Sequence, residues 1–279
     1  MLSYQHAYHA GNFADVLKHL VLIRVLNYLK QKNKPLCYID THAGSGDYRL
    51  ESNESQKTKE FQGGIGKLWG RHDLPVGVAE YIKVIEHFNG AGSLSRYPGS
   101  PLIARQLLDA KDRQFLYELH PTEFRQLNVT LGDRRIKKFR TDGLKESLGL
   151  LPPIEHRGLI LIDPSYELDS DYQTVVECLK QMYRRFATGC YLLWYPVVER
   201  KRSRFLERTL QTSGIKNIHV YELGVQPDNE AFGMTASGMI VINPPWTLYK
   251  DMQEALPWLA ETLGEDRQGH YRIEQLVAE

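Results

Sequence analysis

Seven short apolar runs that alternate with helical patterns constrain the fold of this 279-residue chain more than any other feature. Each run has the length of a strand, and most of the intervals between them are long enough for a helix. Buried strands that alternate with helices favour a mostly parallel sheet with helices on both faces. We therefore predict an α/β fold with a doubly wound sheet of seven strands. The predicted strands are residues 36–40, 114–118, 136–140, 159–163, 190–195, 217–222 and 238–242.

Two segments outside this alternation shape the predicted domain organisation. Residues 12–30 carry apolar side chains at helical spacing, with Asn12 as a candidate N-cap, and predict a helix before the first strand. The first two strands are separated by roughly 70 residues, far more than a usual crossover, and this interval contains a polar stretch and two helical patterns. We place a helical insertion subdomain at residues 48–96 and the main domain at residues 1–47 and 97–279.

Composition argues against several classes of protein. The net charge is only +1, so a nucleic-acid surface has to be a local patch. No run of about 20 apolar residues could span a bilayer, and the N-terminus lacks the apolar core of a secretory signal. Cys37, Cys178 and Cys190 are odd in number and widely spaced, which argues against a disulfide framework and a zinc site. We expect a cytoplasmic monomer with no metal and no membrane partner.

Acidic residues and glycines at successive strand ends predict a site for a nucleoside-containing cofactor. Ligands of a doubly wound sheet bind beyond the carboxyl ends of its strands. The first strand runs into the Gly-rich loop 40–46, where backbone N–H groups around Gly44 can approach a ligand. A structural turn or an NAD-type loop fits this segment nearly as well. The second strand ends in Glu118, which could receive two ribose hydroxyls, whereas Asp142-Gly143 follows the third and could accept a hydrogen bond from an adenine amino group.

The fourth strand leads into Asp163-Pro164-Ser165-Tyr166, the most specific feature of the sequence. An amino group conjugated to a purine ring is a poor nucleophile, so acceptors must hold it while it attacks a methyl group. Asp163 and the Pro164 carbonyl could accept its two hydrogens, and Asp163 could take a proton as the new bond forms. Tyr166 could stack on the base. The alternative is a proline-containing turn with a packed tyrosine.

Together with other motifs along nearly the whole chain, these features resemble the bacterial 23S ribosomal RNA adenine-N6 methyltransferase family. The residues that carry the resemblance are 2–12, 40–46, 97–101, 118–121, 163–166, 193–196 and 243–246. The resemblance implies a Rossmann-like methyltransferase fold of seven strands with a small helical insertion, and S-adenosyl-L-methionine as cofactor. It also implies methylation of N6 of an adenine, expected at position 2030 of 23S rRNA, while that RNA is free or incompletely assembled.

The strand-end pattern and the resemblance assign roles to individual residues. The implied cofactor-binding residues are His19, His42, Gly44, Ser100, Glu118, Asp142, Gly143 and Asp163. The implied catalytic residues are Asp163, Pro164 and Tyr166. The implied substrate-binding residues are Tyr4, His6, Lys18 and Tyr166. Lys18 and His19 lie opposite the apolar face of the first predicted helix, so we expect both to point toward the active site.

Two motif positions need separate interpretation. Ser165 stands where the family usually has proline, which relaxes one φ restraint and adds an N–H donor. We expect slower or differently tuned catalysis at worst, since Asp163 and the Pro164 carbonyl remain available. Asn243-Pro244-Pro245-Trp246 fits the generic amino-methyltransferase motif better in letters. It follows the seventh strand, however, so we interpret it as a structural turn.

Two basic clusters predict contact with RNA phosphates. They comprise Arg134, Arg135, Lys137, Lys138 and Arg140, and Arg184, Arg185, Arg200, Lys201, Arg202 and Arg204. Two other functions remain open, because fold alone does not choose the polymer. One is a DNA adenine-N6 methyltransferase, against which the absence of a sizeable target-recognition domain argues. The other is a noncatalytic nucleic-acid-binding protein involved in the use of external DNA.

Overall fold

The computed structural model describes residues 4–90, 92–228 and 233–279. Leu2 and Ser3, at the start of the N-terminal motif, lie outside the described residues. The strands are β1 (Cys37–Asp40), β2 (Asp47–Arg49), β3 (Arg96–Pro98), β4 (Arg113–Tyr117), β5 (Ile136–Phe139), β6 (Gly158–Ile162), β7 (Cys190–Val197), β8 (Ile218–Gly224), β9 (Ala236–Ile242) and β10 (His270–Val277). The prediction of an α/β fold is confirmed, and all seven predicted strands are present.

Within the described residues, the main sheet contains eight strands in the order β10-β8-β9-β7-β6-β1-β4-β5, and β2 pairs with β3 in a separate small sheet. The predicted number of seven is therefore one too low. The additional strand, β10, pairs with β8 at an edge of the sheet, and its residues are half-buried or exposed. Its sequence lacks the continuous apolar character of β1, β6 and β9, which are buried along their whole length.

Strand direction gives the main sheet two different edges. β1, β4, β5, β6 and β7 are parallel, so their carboxyl ends meet along one edge, which we call the carboxyl edge. The opposite edge, where these strands begin, is the amino edge. β9 is antiparallel to β7, with Ile242 beside Tyr191, and therefore ends at the amino edge.

Helices cover both faces of the sheet. They are α1 (Phe13–Lys30), α2 (Asn53–Thr58), α3 (Glu60–Gly63), α4 (Ile65–Leu68), α5 (Val76–Asn89), α6 (Ser100–Leu107), α7 (Pro121–Thr130), α8 (Gly143–Glu146), α9 (Asp169–Arg185), α10 (Arg200–Gln211) and α11 (Leu248–Leu263). Short 3-10 helices span His6–Tyr8, Ser147–Leu150 and Glu265–Arg267. Among the described residues, we find no helix with the length and apolarity needed to cross a membrane.

Helix α1 is more deeply buried than its sequence pattern suggests. Asn12 is its N-cap, as predicted, and the Asn12 side chain accepts a hydrogen bond from the N–H of Asp15 at 3.0 Å. The helix packs against α5, α6, α11 and β9, so most of its surface is covered. Its polar residues Asp15, Lys18 and His19 are consequently buried rather than solvated, and each needs a partner inside the protein.

The segment between β2 and β3 contains α2 to α5. Its apolar residues, among them Ile65, Tyr81 and Ile85, belong to the same hydrophobic core as α1 and α11. The pairing of β2 with β3 brings the two ends of this segment together. We propose that residues 48–96 form a helical subdomain that shares its core with the main domain. Its packing against α1 would then hold that helix in position.

Candidate active site

One cavity at the carboxyl edge brings together most of the residues that the sequence singled out. The predicted residues among its lining are Tyr4, His6, Lys18, His19, His42, Gly44, Ser100, Glu118, Asp142, Gly143, Asp163 and Pro164. They come from the N-terminal segment, α1, the start of α6, and the loops after β1, β4, β5 and β6. Strand polarity explains the convergence, because parallel strands deliver their following loops to the same edge.

A buried ion-pair network connects α1 to the Asp163 motif. The Lys18 Nζ atom lies 2.6 Å from Asp163 Oδ2 and 2.8 Å from Asp15 Oδ1. Burial alone would lower the pKa of Lys18, but the two carboxylates outweigh it and raise that pKa. Burial alone would raise the pKa of Asp15, but His6 and Lys18 hold it well below its usual range. Lys18 therefore remains charged at neutral pH and fixes the Asp163 carboxylate in place.

The N-terminal segment extends this network to the mouth of the cavity. His6 Nε2 lies 2.9 Å from Asp15 Oδ2, and His6 Nδ1 lies 2.8 Å from the hydroxyl of Tyr4. The backbone N–H of Tyr4 donates to Glu167 Oε1 at 2.8 Å, which ties the segment to the loop after β6. Tyr4 is 40% exposed, and its ring stacks on that of His9 with the two centroids 5.5 Å apart.

His19 lies at the inner wall of the cavity. Its Nδ1 atom is 2.7 Å from the hydroxyl of Tyr97, which is 3.1 Å from the hydroxyl of Tyr81. Burial, together with the neighbouring charges of Lys18 and His6, lowers the pKa of His19 to about 3 despite the opposing charge of Asp15. His19 is therefore neutral and offers a polar ring without charge. His9, in contrast, pairs with Glu60 on the insertion side.

Glu118 is anchored by two backbone donors. Its Oε2 accepts from Gly44 N–H at 2.8 Å, and its Oε1 accepts from His120 N–H at 2.7 Å. Burial raises the pKa of this carboxyl group, although the two backbone hydrogen bonds oppose the shift. Gly44 has φ +60°, and a Cβ there would lie 2.2 Å from the hydroxyl of Tyr48. The contact thus joins the loops after β1 and β4 in a conformation that only glycine accommodates well.

The loop after β5 also packs closely against the loop after β1. Asp142 is the N-cap of α8, and its Oδ1 accepts a hydrogen bond from Leu144 N–H at 3.1 Å. A Cβ on Gly143 would lie 2.2 Å from the carbonyl oxygen of Thr41. His42 also lines this wall; its Nδ1 atom is 2.8 Å from the Thr41 hydroxyl, and burial lowers its pKa.

Asp40 has a supporting role that the sequence analysis did not assign. Its Oδ2 accepts from the hydroxyls of Ser100, at 2.7 Å, and Tyr38, at 2.9 Å. Burial raises the pKa of Asp40 to about 6, against the opposing effect of these two hydrogen bonds. Asp40 therefore positions Ser100, which lines the cavity. An acidic residue at the end of a wholly buried strand was the available sequence signal.

The structure places Tyr166 differently from the base-stacking role predicted for it. Tyr166 is buried behind the cavity wall, and its ring centroid lies 4.4 Å from that of Tyr172. Its hydroxyl donates to the Trp194 carbonyl at 2.8 Å. The residue has φ +51°, a strained value for tyrosine. These contacts fix the turn that presents Asp163 and Pro164, and stacking on a base would require the ring to leave them.

The members of the two basic clusters differ in whether they form ion pairs and in the edge of the sheet at which they lie. Arg200 is held by Glu222 and Asp228, and Arg135 by Asp133, so these arginines are already partnered. Of the others, Arg140 follows β5 and Arg204 lies in the first turns of α10 after β7, both exposed at the carboxyl edge. Arg134, Arg184 and Arg185 are exposed near the amino edge, where β5 and β7 begin. The prediction that these clusters contact RNA phosphates stays a prediction, and the exposed arginines it concerns lie at both edges of the sheet.

Comparisons with known proteins place this chain in a family. A family model described as RsmJ, ribosomal RNA large subunit methyltransferase D, RlmJ, matches residues 33–277. The chain belongs to the RlmJ family. Two RlmJ-family relatives named ribosomal RNA large subunit methyltransferase J come from Haemophilus influenzae and Escherichia coli. They are 49% and 48% identical to this chain, and both alignments cover 100% of each sequence.

A solved structure supports the same fold. The crystal structure of a Legionella pneumophila protein is 40% identical to this chain, with a TM-score of 0.89, and covers 96% of this chain and 98% of that one. The RlmJ-family model begins after the N-terminal segment that holds Tyr4 and His6, whereas the full-length relatives align over that segment as well. The similarity thus includes every wall of the cavity.

Proposed function

We propose that this protein transfers the methyl group of S-adenosyl-L-methionine to N6 of an adenine in 23S rRNA, on free or incompletely assembled RNA. Membership of the RlmJ family supports this reaction. The observation that carries it is the position of Asp163-Pro164. This motif ends a central parallel strand and lines the same cavity as Glu118 and Asp142, which are suited to hold a nucleoside.

The donors and acceptors of the cavity fit S-adenosyl-L-methionine. Glu118 is oriented by two backbone N–H groups and has remaining acceptor capacity for ribose hydroxyls. Asp142 offers a carboxylate for the adenine amino group, and Gly44 and Gly143 allow close approach to the backbone. His19, His42 and Ser100 supply neutral polar groups along the remaining wall. When bound, this cofactor supplies an electrophilic methyl group on a sulfonium.

The target adenine has to leave its stack before its amino group can reach the cavity. We assign Asp163 and the Pro164 carbonyl as acceptors for the two N6 hydrogens, which orients the nitrogen lone pair toward the methyl group. As N6 gains the methyl group and the sulfonium gives it up, N6 loses one proton, and we assign Asp163 as the carboxylate that receives it. Lys18 keeps its own proton and acts on Asp163 through their ion pair.

The remaining substrate contacts are assigned to the cavity mouth. Tyr4 and His6 are joined by a hydrogen bond and line the cavity, and Tyr4 is partly exposed. We propose that these two rings support the extruded base, while Tyr166 holds the turn beneath it. Well-placed reactants can contribute roughly 7 to 11 kcal/mol in favourable cases, so most of the acceleration would come from alignment.

The decisive experiment measures methyl transfer from labelled S-adenosyl-L-methionine to protein-free 23S rRNA that lacks the modification. Duplex DNA and assembled large subunits serve as competing substrates, and nucleoside mass spectrometry identifies the product. We expect N6-methyladenosine in the free RNA, which would also establish that Ser165 supports catalysis. Methylation of DNA alone would contradict the substrate assignment. Cofactor binding with no product on any substrate would favour a noncatalytic nucleic-acid-binding role.

A further inference from the structure

One carboxylate of the cavity has a buried oxygen without a hydrogen-bond donor. Glu123 lies in the first turn of α7, its side chain lines the cavity, and the residue is only 8% exposed. Its Oε2 atom is buried and has no hydrogen-bond partner among the described residues. Leaving a buried carboxylate oxygen unpaired costs free energy, and such atoms are rare in native structures. The missing donor is therefore to be sought in what the cavity binds.

Helix capping does not account for this carboxylate. A glutamate at the third position of a helix commonly accepts a hydrogen bond from the N–H of the N-cap residue. Here the N-cap residue is His120, whose N–H instead donates to Glu118 Oε1 at 2.7 Å. The His120 ring accepts from the N–H of Glu123 at 3.4 Å, so the helix start is capped without the Glu123 carboxylate.

The other acids around the cavity already hold protein donors. Glu118 accepts two backbone N–H groups, Asp142 caps α8, and Asp163 pairs with a lysine. Asp40 accepts two hydroxyl groups and is completely buried. Glu123 thus differs from its neighbours in having a buried oxygen left for a ligand.

Glu123 faces the part of the cavity beside the Gly-rich loop. Burial raises the pKa of Tyr48 well above its usual value, and Glu123 is the largest charged contributor to that shift. The Tyr48 hydroxyl accepts from Ser45 N–H at 3.2 Å and packs against Gly44. Gly44, Glu118 and Glu123 line the same cavity, so one ligand that fills it can contact both carboxylates.

We propose that Glu123 accepts hydrogen bonds from the α-ammonium group of S-adenosyl-L-methionine, a role that rests on the proposed function. The ammonium group carries one positive charge and three donors, which suits a buried carboxylate. Glu123 would then distinguish a cofactor with an intact amino-acid tail from adenine nucleosides that lack the α-ammonium group. It is a cofactor-binding residue additional to those implied by the sequence.

The test is the affinity of Glu123→Gln for three ligands, measured by isothermal titration calorimetry at fixed salt. S-adenosylhomocysteine has the ammonium but no sulfonium, and deamino-S-adenosylhomocysteine has the carboxylate but no amino group. We expect the variant to bind S-adenosyl-L-methionine and S-adenosylhomocysteine about 10 to 100 times more weakly than the wild type. Its affinity for the deamino analogue should be unchanged.

Two controls separate this role from a structural one. Glu86→Gln removes one negative charge from an exposed position on α5 and should leave all three affinities unchanged. The melting temperature of ligand-free Glu123→Gln should match that of the wild type, because Oε2 has no hydrogen-bond partner among the described residues for the substitution to remove. A lower melting temperature with equally reduced affinity for all three ligands would overturn the proposal.

Three other outcomes would also test the assignment of Glu123. Weaker binding of S-adenosyl-L-methionine alone would place Glu123 at the sulfonium and overturn the ammonium assignment. Unchanged affinities would remove Glu123 from the site and leave the proposed function intact. Failure of the wild-type protein to bind both S-adenosyl-L-methionine and S-adenosylhomocysteine would contradict the proposed function itself.

Discussion

Two proline-containing motifs follow buried strands of the same sheet and lie at opposite edges of it. Asp163-Pro164-Ser165-Tyr166 follows β6, which is parallel to its neighbours, and lies at the carboxyl edge. Asn243-Pro244-Pro245-Trp246 follows β9, which is antiparallel, and lies at the amino edge. Each motif contains a residue in the left-handed region, Tyr166 with φ +51° and Asn243 with φ +52°. The left-handed residue is the last of the first motif and the first of the second. Strand direction decides at which edge each motif lies.

The polar group of each motif has a different kind of partner. Asp163 lines the cavity and pairs with Lys18. The side-chain amide of Asn243 donates to the carbonyls of Ala187 and Gly189, both at 2.8 Å, and thereby joins the start of β7 to the end of β9. One motif therefore presents an acceptor to a ligand, whereas the other uses its donors within the protein. A segment that matches a catalytic motif in sequence can take part in catalysis only where the topology brings it to the cavity.

The largest expected effect comes from Asp163→Asn. The amide cannot accept the proton that N6 loses, so we expect methyl transfer to fall by about 10² to 10⁴-fold, the range typical of a lost general base. Single-turnover methylation of free 23S rRNA measures this directly. Activity within threefold of the wild type would contradict the role of Asp163.

Asn243→Ala is the matched substitution in the second motif. It should leave methyl transfer unchanged but lower the free energy of unfolding by about 1 to 3 kcal/mol. Two side-chain hydrogen bonds are lost, and alanine is less tolerant than asparagine of the left-handed conformation. Loss of activity without loss of stability in Asn243→Ala would erase the distinction between the two motifs.

The buried histidine on the cavity wall should make stability depend on pH. His19 has a pKa of about 3 in the folded protein against 6.5 when unperturbed. Below pH 6.5 His19 binds a proton in the unfolded chain but stays neutral in the folded protein. The contribution of His19 to the free energy of unfolding therefore falls as the pH drops toward 3. At pH 5 the loss is about 2 kcal/mol. His19→Gln should remove it, as measured by urea unfolding at pH 7 and pH 5.

The comparison has to be made between variant and wild type, because Asp40 acts in the opposite direction. Its raised pKa, about 6, means that the folded state binds the extra proton, and the corresponding stability is lost as the pH rises through 6. His219→Gln, on β8 near the amino edge, is the control. His219 is only half-buried and its pKa is lowered by burial, so the same effect should be present and smaller. An unchanged pH dependence in His19→Gln would show that His19 is not the buried neutral group.

Much of the fold could be predicted because buried parallel strands have a simple sequence signature. β1, β6 and β9 are continuous apolar runs, and Asn12 is a strong capping residue with a suitable following helix. The edge strand β10 escaped because its residues are only partly buried, so its pattern resembles a polar segment. Family membership could be predicted because several motifs occur in the expected order along the chain. The match to the family model over residues 33–277 confirmed it.

The site was less predictable, because its electrostatics depend on which side chains meet. The pairing of Lys18 with Asp163 joins residues far apart in the chain, and nothing in their local sequence specifies it. Tyr166 looked like a stacking residue from its spacing, yet its hydroxyl is bonded to a carbonyl on a neighbouring strand. The unpaired oxygen of Glu123 likewise emerges only once the donors around it are known.

The smallest expected effect extends the comparison of the two edges to RNA binding. Arg140 is exposed just after β5 at the carboxyl edge, and Arg184 is exposed near the end of α9, close to the amino edge. If RNA enters at the carboxyl edge, Arg140→Glu should weaken binding by about tenfold or less and reduce the salt slope by about one. Arg184→Glu makes the same change of charge and should leave both quantities unchanged. Equal weakening by the two variants, in filter-binding titrations across salt concentrations, would mean that RNA contacts both edges, and strand direction would then fix the position of the chemistry without fixing the RNA footprint.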